Sequence, residues 1–269
     1  MYLNSVDQMA ETAVAKTEFL KRSPLGFWIS SMMAGAYVGL GILLIFSVGS
    51  DVDPTYRALV MGCSFGIALT LVVFAGSDLF TGHTMFMTMG ALRGRISWSD
   101  LGWSWAVTWL GNLLGCAALS VIFISGGGGA VLHSKSQWLI SVAAAKMDAP
   151  ALSLFARAIL CNWLVCLAIW ISGRMTSDAG RCIAIFWCLF GFIGSGYEHS
   201  VANMTLLLVA LLGDHPDTVT WTGFAYNLFW VSLGNIVAGA GFMGVGYWLI
   251  SRPYAEPAEV PLAALRPAE

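Results

Sequence analysis

The sequence predicts an all-α integral membrane protein of six transmembrane helices, arranged as an inverted three-plus-three repeat with the second and fifth helices broken. Three observations predict it. Of 269 residues, 58% are hydrophobic and 10% charged, with a mean hydropathy of +0.75, whereas soluble domains carry roughly 25% charged residues. Apolar runs of spanning length recur along the chain. The two halves also echo one another at a constant offset.

The elements follow in order. Residues 1–22 mix Asp7, Glu11, Lys16, Glu18, Lys21 and Arg22 with Met9, Ala13, Ala15 and Leu20. They lack the basic-then-apolar order of a secretory signal and predict an amphipathic helix on the membrane surface. A span needs about 20 apolar residues. Runs near 25–48, 58–76, 102–124, 151–173 and 221–250 meet that length. The run 181–213 is too long for one simple span and is interrupted at 194–200. The second run likewise continues past GSDLFTGH (76–83) into TMFMTMGAL, ending near residue 91. The loop 125–150 opens on the flexible SGGGGA, and its later part, WLISVAAAKMDAP, predicts a short helix packed on the membrane face. A channel domain over 23–251 results, with repeats of about 23–126 and 150–251, followed by a polar tail, 252–269, expected to be disordered and cytoplasmic.

Charge sets the orientation. With the N-terminus inside, the inner face holds Lys16, Lys21, Arg22, Arg93, Arg95, Arg174, Arg181, Arg252 and Arg266. The outer face holds Arg57, Lys135, Lys146 and Arg157. Both termini are therefore expected in the cytoplasm of a multi-pass protein of the inner (cytoplasmic) membrane. A net charge of −2 gives no reason to expect nucleic acid as a partner. The six cysteines fall in apolar runs without a CxxC spacing, as small buried hydrophobes do.

The repeat is visible in short matches. WLGNLLG (109–115) pairs with SLGNIVAG (232–239), which aligns Asn112 with Asn235. GSD (76–78) pairs with GSGYE (194–198), which aligns Asp78 with Glu198. Three segments per copy require the second copy to be inverted, and paired broken helices in inverted repeats point to a transport site near the midplane.

Irregular backbone at membrane depth survives only where protein or a water-filled cavity satisfies it, and ionisable groups there are candidate functional groups. His199 lies in the second break, where it either serves the path or hydrogen-bonds a carbonyl to hold a kink. Asp78 and Glu198 would repel an anion, so each is expected to cap the helix that restarts beside it. His83 follows the first break as a second titrating group or a ligand, but a metal wants three or four ligands and no Cys or carboxylate spacing supplies the rest, so no metal is expected. Lys146 either draws small anions to a pore mouth or is a solvated lysine. Asn162, within ILCNWLVCLAIW, either faces the path or bonds a neighbouring helix.

Taken together, AGAYVGLG (34–41), SDLFTGHTMF (77–86), AAAKMDAP (143–150), CNWLVCLAIW (161–170), GYEHSVANM (196–204) and SLGN (232–235) resemble the formate/nitrite transporter family, over roughly residues 20–250. The FTGH sequence resembles its nitrite branch more than its formate branch. The resemblance implies an aquaporin-like arrangement of tilted helices, a homopentamer with one pore per subunit, and a small monovalent anion, nitrite, as substrate. It puts the central histidine on His199 with Asn162 beside it, the interrupting loop on Leu79, Phe80 and Thr81, and the vestibule lysine on Lys146. The hydrophobic constrictions fall on Phe65, Leu69, Val165 and Phe192. Asp78 departs from the glutamate of many relatives. Neither a cofactor nor an enzymatic reaction is implied. The mechanism implied is passage past apolar rings, with His199 donating a hydrogen bond or a proton to the anion.

Three other readings compete: a formate or related weak-acid channel, a neutral-solute channel of aquaporin type, and a redox subunit holding haem between His83 and His199. The neutral-solute reading lacks a proline in either break.

Overall fold

The computed structural model of the chain describes residues 2–132 and 136–252. Lys135, Arg266 and the tail predicted beyond Arg252 lie outside the described residues. All regular structure among those described is helical. Five helices there are long and apolar enough to cross a membrane: Pro24–Ser50 (α2), Pro54–Ala75 (α3), Trp98–Ser125 (α5), Ala151–Gly173 (α8) and Trp221–Ser251. The last is composite. It runs as α11 (Trp221–Ile236), passes through π-turns over Val237–Val245 and ends as α12 (Gly246–Ser251).

The N-terminal helix α1 (Leu3–Arg22) buries Val6, Met9, Ala13, Thr17 and Leu20, spaced three and four apart so that they share one face. Ala15, read from sequence as part of that face, is exposed. The stripe docks on protein, on the helix Phe80–Leu92 (α4), rather than on lipid alone. Gly90 allows the approach, since a Cβ there would overlap Ala13. Ion pairs hold α1 in place: Arg93 and Arg95, just past α4, pair with Asp7 (2.6 Å) and Glu11, and Lys21 pairs with Asp100 in the first turn of Trp98–Ser125 at 2.7 Å.

Helices α2 and α5 meet backbone to backbone. A Cβ on Gly35 would strike the Asn112 carbonyl, and one on Gly115 the Met32 carbonyl. On the other side α11 meets α8 the same way, with Gly234 against the Phe155 carbonyl. Close approach of this kind substitutes for the hydrophobic drive that lipid removes. The long connection after α5 folds as a turn, Gly129–Leu132 (α6), and then the predicted short helix, Ser136–Asp148 (α7), which buries Leu139, Ala143 and Met147. Arg57, from the start of α3, stacks over Trp138 of α7 at 4.2 Å. At that same end Asp53 caps α3 by accepting the Thr55 N–H at 2.8 Å, a bond that holds its pKa below the usual carboxylate value. Large side chains including Leu25, Trp103, Ile122, Leu152, Ile183 and Phe229 stay exposed around the outside, an apolar girdle suited to lipid or neighbouring subunits.

The six cysteines are reduced. Cys116, Cys161 and Cys166 are buried as expected, whereas Cys63 and Cys182 face outward.

Candidate functional site

Two interruptions build the site. The chain leaves α3 through Gly76, at φ 76°, and re-enters helix as α4 at Phe80. It leaves Asp178–Gly194 (α9) through Gly196, at φ 70°, and re-enters as Ser200–Leu212 (α10). Glycine sits at both turns because a left-handed φ costs it nothing.

Each break exposes backbone groups that the membrane interior cannot solvate. One asparagine satisfies each set. Asn112, on α5, accepts the Phe80 N–H at 2.9 Å and donates to the carbonyls of Asp78 (2.9 Å) and Ser31 (2.7 Å). Asn235, on α11, accepts the Ser200 N–H at 3.0 Å and donates to those of Glu198 (3.2 Å) and Ala158 (2.9 Å). Both asparagines are fully buried.

The carboxylates expected to cap these helices do something else. Among the described residues no backbone N–H donates to either. Asp78 pairs with Lys16 of α1 at 2.7 Å and accepts from Ser30 at 2.6 Å. Glu198 pairs with Lys146 of α7 at 2.7 Å and accepts from the Asn203 amide at 2.6 Å. The lysines have the longer reach and the full charge, so they win the carboxylates, and the asparagines take over the capping. Lys146 is therefore not a free cation but one end of an ion pair.

His199 stands where the breaks touch. Its Nδ1 accepts the Ala202 N–H at 3.1 Å, capping α10, and its Nε2 lies 3.2 Å from the Thr81 hydroxyl of the first break. With Nδ1 used as an acceptor, the neutral ring carries its proton on Nε2. That N–H points toward Thr81 and the gap beside it. Asn162 of α8 ties the start of α4 to α11, donating to the Thr84 hydroxyl (3.1 Å), the Asn235 carbonyl (2.7 Å) and the Thr81 carbonyl (3.3 Å). Its bonds are interhelical, the second of the two roles its sequence left open.

Two cavities meet at the histidine. Lys146, Tyr197, Phe192, His199 and Asn203 line a vestibule of about 160 Å³. Beyond it, Phe65, Leu69, Leu79, Val165, Phe192 and His199 close around a gap of about 10 Å³. All four predicted constriction residues are there, each at most 2% exposed. The Phe192 ring lies parallel to the His199 imidazole at 5.9 Å, and Phe65 meets Phe192 edge-on at 5.4 Å. Phe80 contributes its capped N–H, and its ring packs in the core.

His83 does not join His199. Its Nε2 lies 3.1 Å from Asp78 and its Nδ1 2.9 Å from Ser104. Both ring nitrogens are occupied, which leaves none for a haem iron. Among the described residues no three His, Cys, Asp or Glu side chains gather as a metal would require.

The sequence aligns Asn112 with Asn235 without marking them as the groups that bracket the two breaks. A further signal was available: Asp78 and His83 are five apart, as are Glu198 and Asn203, at the same offset between repeats.

Comparison with known proteins gives the following. The family described as formate/nitrite transporter matches residues 4–249. The nitrite transporter NirC of Escherichia coli (strain K12) is 52% identical over 260 residues, covering 96% of this chain and 93% of that one. A solved structure described as an FNT family ion channel superposes with a TM-score of 0.89 at 51% identity, covering 94% of this chain and 99% of the other. A second, a pentameric formate channel with formate bound, gives a TM-score of 0.73 at 27% identity, covering 86% and 99%.

Proposed function

Since the chain belongs to the formate/nitrite transporter family, we propose that it carries nitrite across the inner membrane along the path past His199. The observation that carries this reading is the fixed tautomer: an imidazole whose Nδ1 is held by the Ala202 N–H, and whose Nε2–H is turned to an otherwise apolar gap. An anion arriving from the Lys146 vestibule sheds water as it meets Phe192 and Phe65. Its desolvation cost is offset in part by the Thr81 hydroxyl, free to donate while it accepts the Nε2–H, and by the Nε2–H itself once it turns from Thr81 to the anion. Leu69, Leu79 and Val165 then keep the passage dry.

Transfer of a proton from His199, the other half of the expectation, asks more of this geometry. The ring would have to be protonated at Nδ1, giving up the Ala202 N–H. Hydrogen-bond donation needs no such rearrangement, and we take it as the resting mode. The 52% identity to a named nitrite transporter favours nitrite over formate.

We read the architecture as six tilted spans: α2, α3 with α4, α5, α8, α9 with α10, and α11 with α12. They form two inverted copies in an aquaporin-like arrangement, flanked by α1 as an N-terminal surface helix. The matched glycine turns, asparagine brackets and lysine–carboxylate pairs support that reading. The likeness to a pentameric channel supports a homopentamer, and the excess of Lys and Arg on the α1 side supports cytoplasmic termini.

The test is uptake of nitrite and formate into proteoliposomes at several external pH values, with His199→Ala alongside. Faster nitrite than formate uptake, and a tenfold or larger loss in the variant (about 1.4 kcal/mol), is the expected result. Correctly assembled protein that passes neither anion refutes the reading.

A further inference from the structure

The Lys146 vestibule serves one end of the path, and the other end has a built mouth of its own. One helical turn along α3 from Leu69 is Val73, and one along α8 from Val165 is Ile169. Both line a cavity of about 220 Å³ on the α1 side of the constriction. Met9 of α1 and Phe86 of α4 add to the apolar wall, and the polar groups are Gln8 and Thr12 from α1, Ser172 at the end of α8 and Arg181 on α9.

Two of these groups have donors to spare. Ser172 is 5% exposed, and its buried hydroxyl has no hydrogen-bond partner. Leaving such a group unpaired costs on the order of 1–3 kcal/mol, a cost a ligand in the cavity would remove. Arg181 is clamped along one side: Nε and Nη2 donate to the Met175 carbonyl at 3.3 and 3.1 Å, and Nη1 to Asp178 at 3.2 Å. A guanidinium has five N–H donors, so one remains on each terminal nitrogen. These lie in one plane, the arrangement that suits the two oxygens of a small planar anion.

The surrounding charge permits an anion. Asp7 and Glu11 of α1 are matched by Arg93 and Arg95, and Arg174 adds a cation bonded to Ser5. Asp178 is 76% exposed in its side chain, so water screens its repulsion.

We propose that Arg181 and Ser172 form a second binding subsite for a small planar monovalent oxyanion, on the α1 side of the constriction. The proposal rests on the transport reading and adds to it a site of loading or release that none of the predicted residues supplies. Two moderate sites flanking a dry gap also satisfy conduction, since an ion held tightly at a single site would leave slowly.

Nitrite uptake into right-side-out and everted vesicles from cells expressing the full chain separates the two mouths. A protease-cleavable N-terminal tag reports which population presents α1. For nitrite entering from the α1 side, Arg181→Gln should raise the half-saturating concentration about fivefold to tenfold. Entry from the Lys146 side should change less than about twofold, so that the shift is one-sided. Ser172→Ala should give about a twofold to threefold shift with the same sidedness. Arg181→Lys keeps the charge without the planar fork; should the Gln variant fail to assemble, a one-sided shift of about twofold to threefold in the Lys variant carries the test. Equal shifts from both faces, or none, overturn the subsite and leave the transport reading standing. Wild type that passes no nitrite from either face overturns both.

Discussion

The two breaks are built on one plan and fitted differently, and the comparison separates scaffold from site. Each has a left-handed glycine, a buried carboxylate paired with a lysine from a surface helix, and an asparagine bracketing the loop. Those groups recur because both loops have the same problem, orphaned backbone in a medium without water. What does not recur is the residue before the restarted helix: Leu79 in the first break, His199 in the second. The residue five beyond the carboxylate differs too, His83 against Asn203. Leucine at the first position gives α4 no side-chain cap, whereas the imidazole at the second caps α10 and reaches Thr81 of the other repeat.

The shared plan breaks most visibly at the asparagines. Asn112→Leu and Asn235→Leu each remove three hydrogen bonds and strand buried backbone groups, at about 1–3 kcal/mol apiece. Both should abolish recovery of monodisperse protein in size-exclusion chromatography. A folded Asn112→Leu beside an unfolded Asn235→Leu would show that the breaks are not equivalent.

The lysines sharpen the comparison at the next level. Lys16→Ala and Lys146→Ala each leave a buried carboxylate unpaired, a cost of about 3–5 kcal/mol, and both should lower the thermal midpoint. Only Lys146 lines the vestibule, so only its loss should also raise the half-saturating nitrite concentration on that side, by about threefold. Equal transport defects in the two variants would remove the vestibule's role.

The smallest effect is expected from His83→Asn, which copies the second break's polar partner into the first. Nitrite flux and its pH dependence should stay within about twofold of wild type, measured in the same proteoliposomes. A loss as large as that of His199→Ala would mean that the two histidines act together.

Much of this was legible in the sequence, for identifiable reasons. Apolar runs bounded by glycine and charge locate α2, α3, α5, α8 and the composite span Trp221–Ser251 to within a few residues, because lipid demands continuous apolarity. Phe65, Leu69, Val165 and Phe192 came from the family resemblance, and they meet at one gap. The partners of Asp78 and Glu198 were not legible. Sequence displays the neighbouring helix start as the natural acceptor, while Lys16 and Lys146 lie on separate surface helices, 62 and 52 residues away. Ala15 has a different cause: it lies two residues from Ala13, about 200° around the helix, so the helical period itself turns it away from the buried face. Arg181 was counted for orientation only, since nothing local ties it to Ser172.

The gap of about 10 Å³ beneath Phe192 bears on the economy of the cell. A single water needs roughly 10–15 Å³, so the gap cannot hold a file of them. Protons hop along connected waters, and a passage that interrupts such a file is an insulator to them. At this width the gap breaks any file of water between the cavities on its two sides, and a membrane holding such a passage would keep its proton gradient.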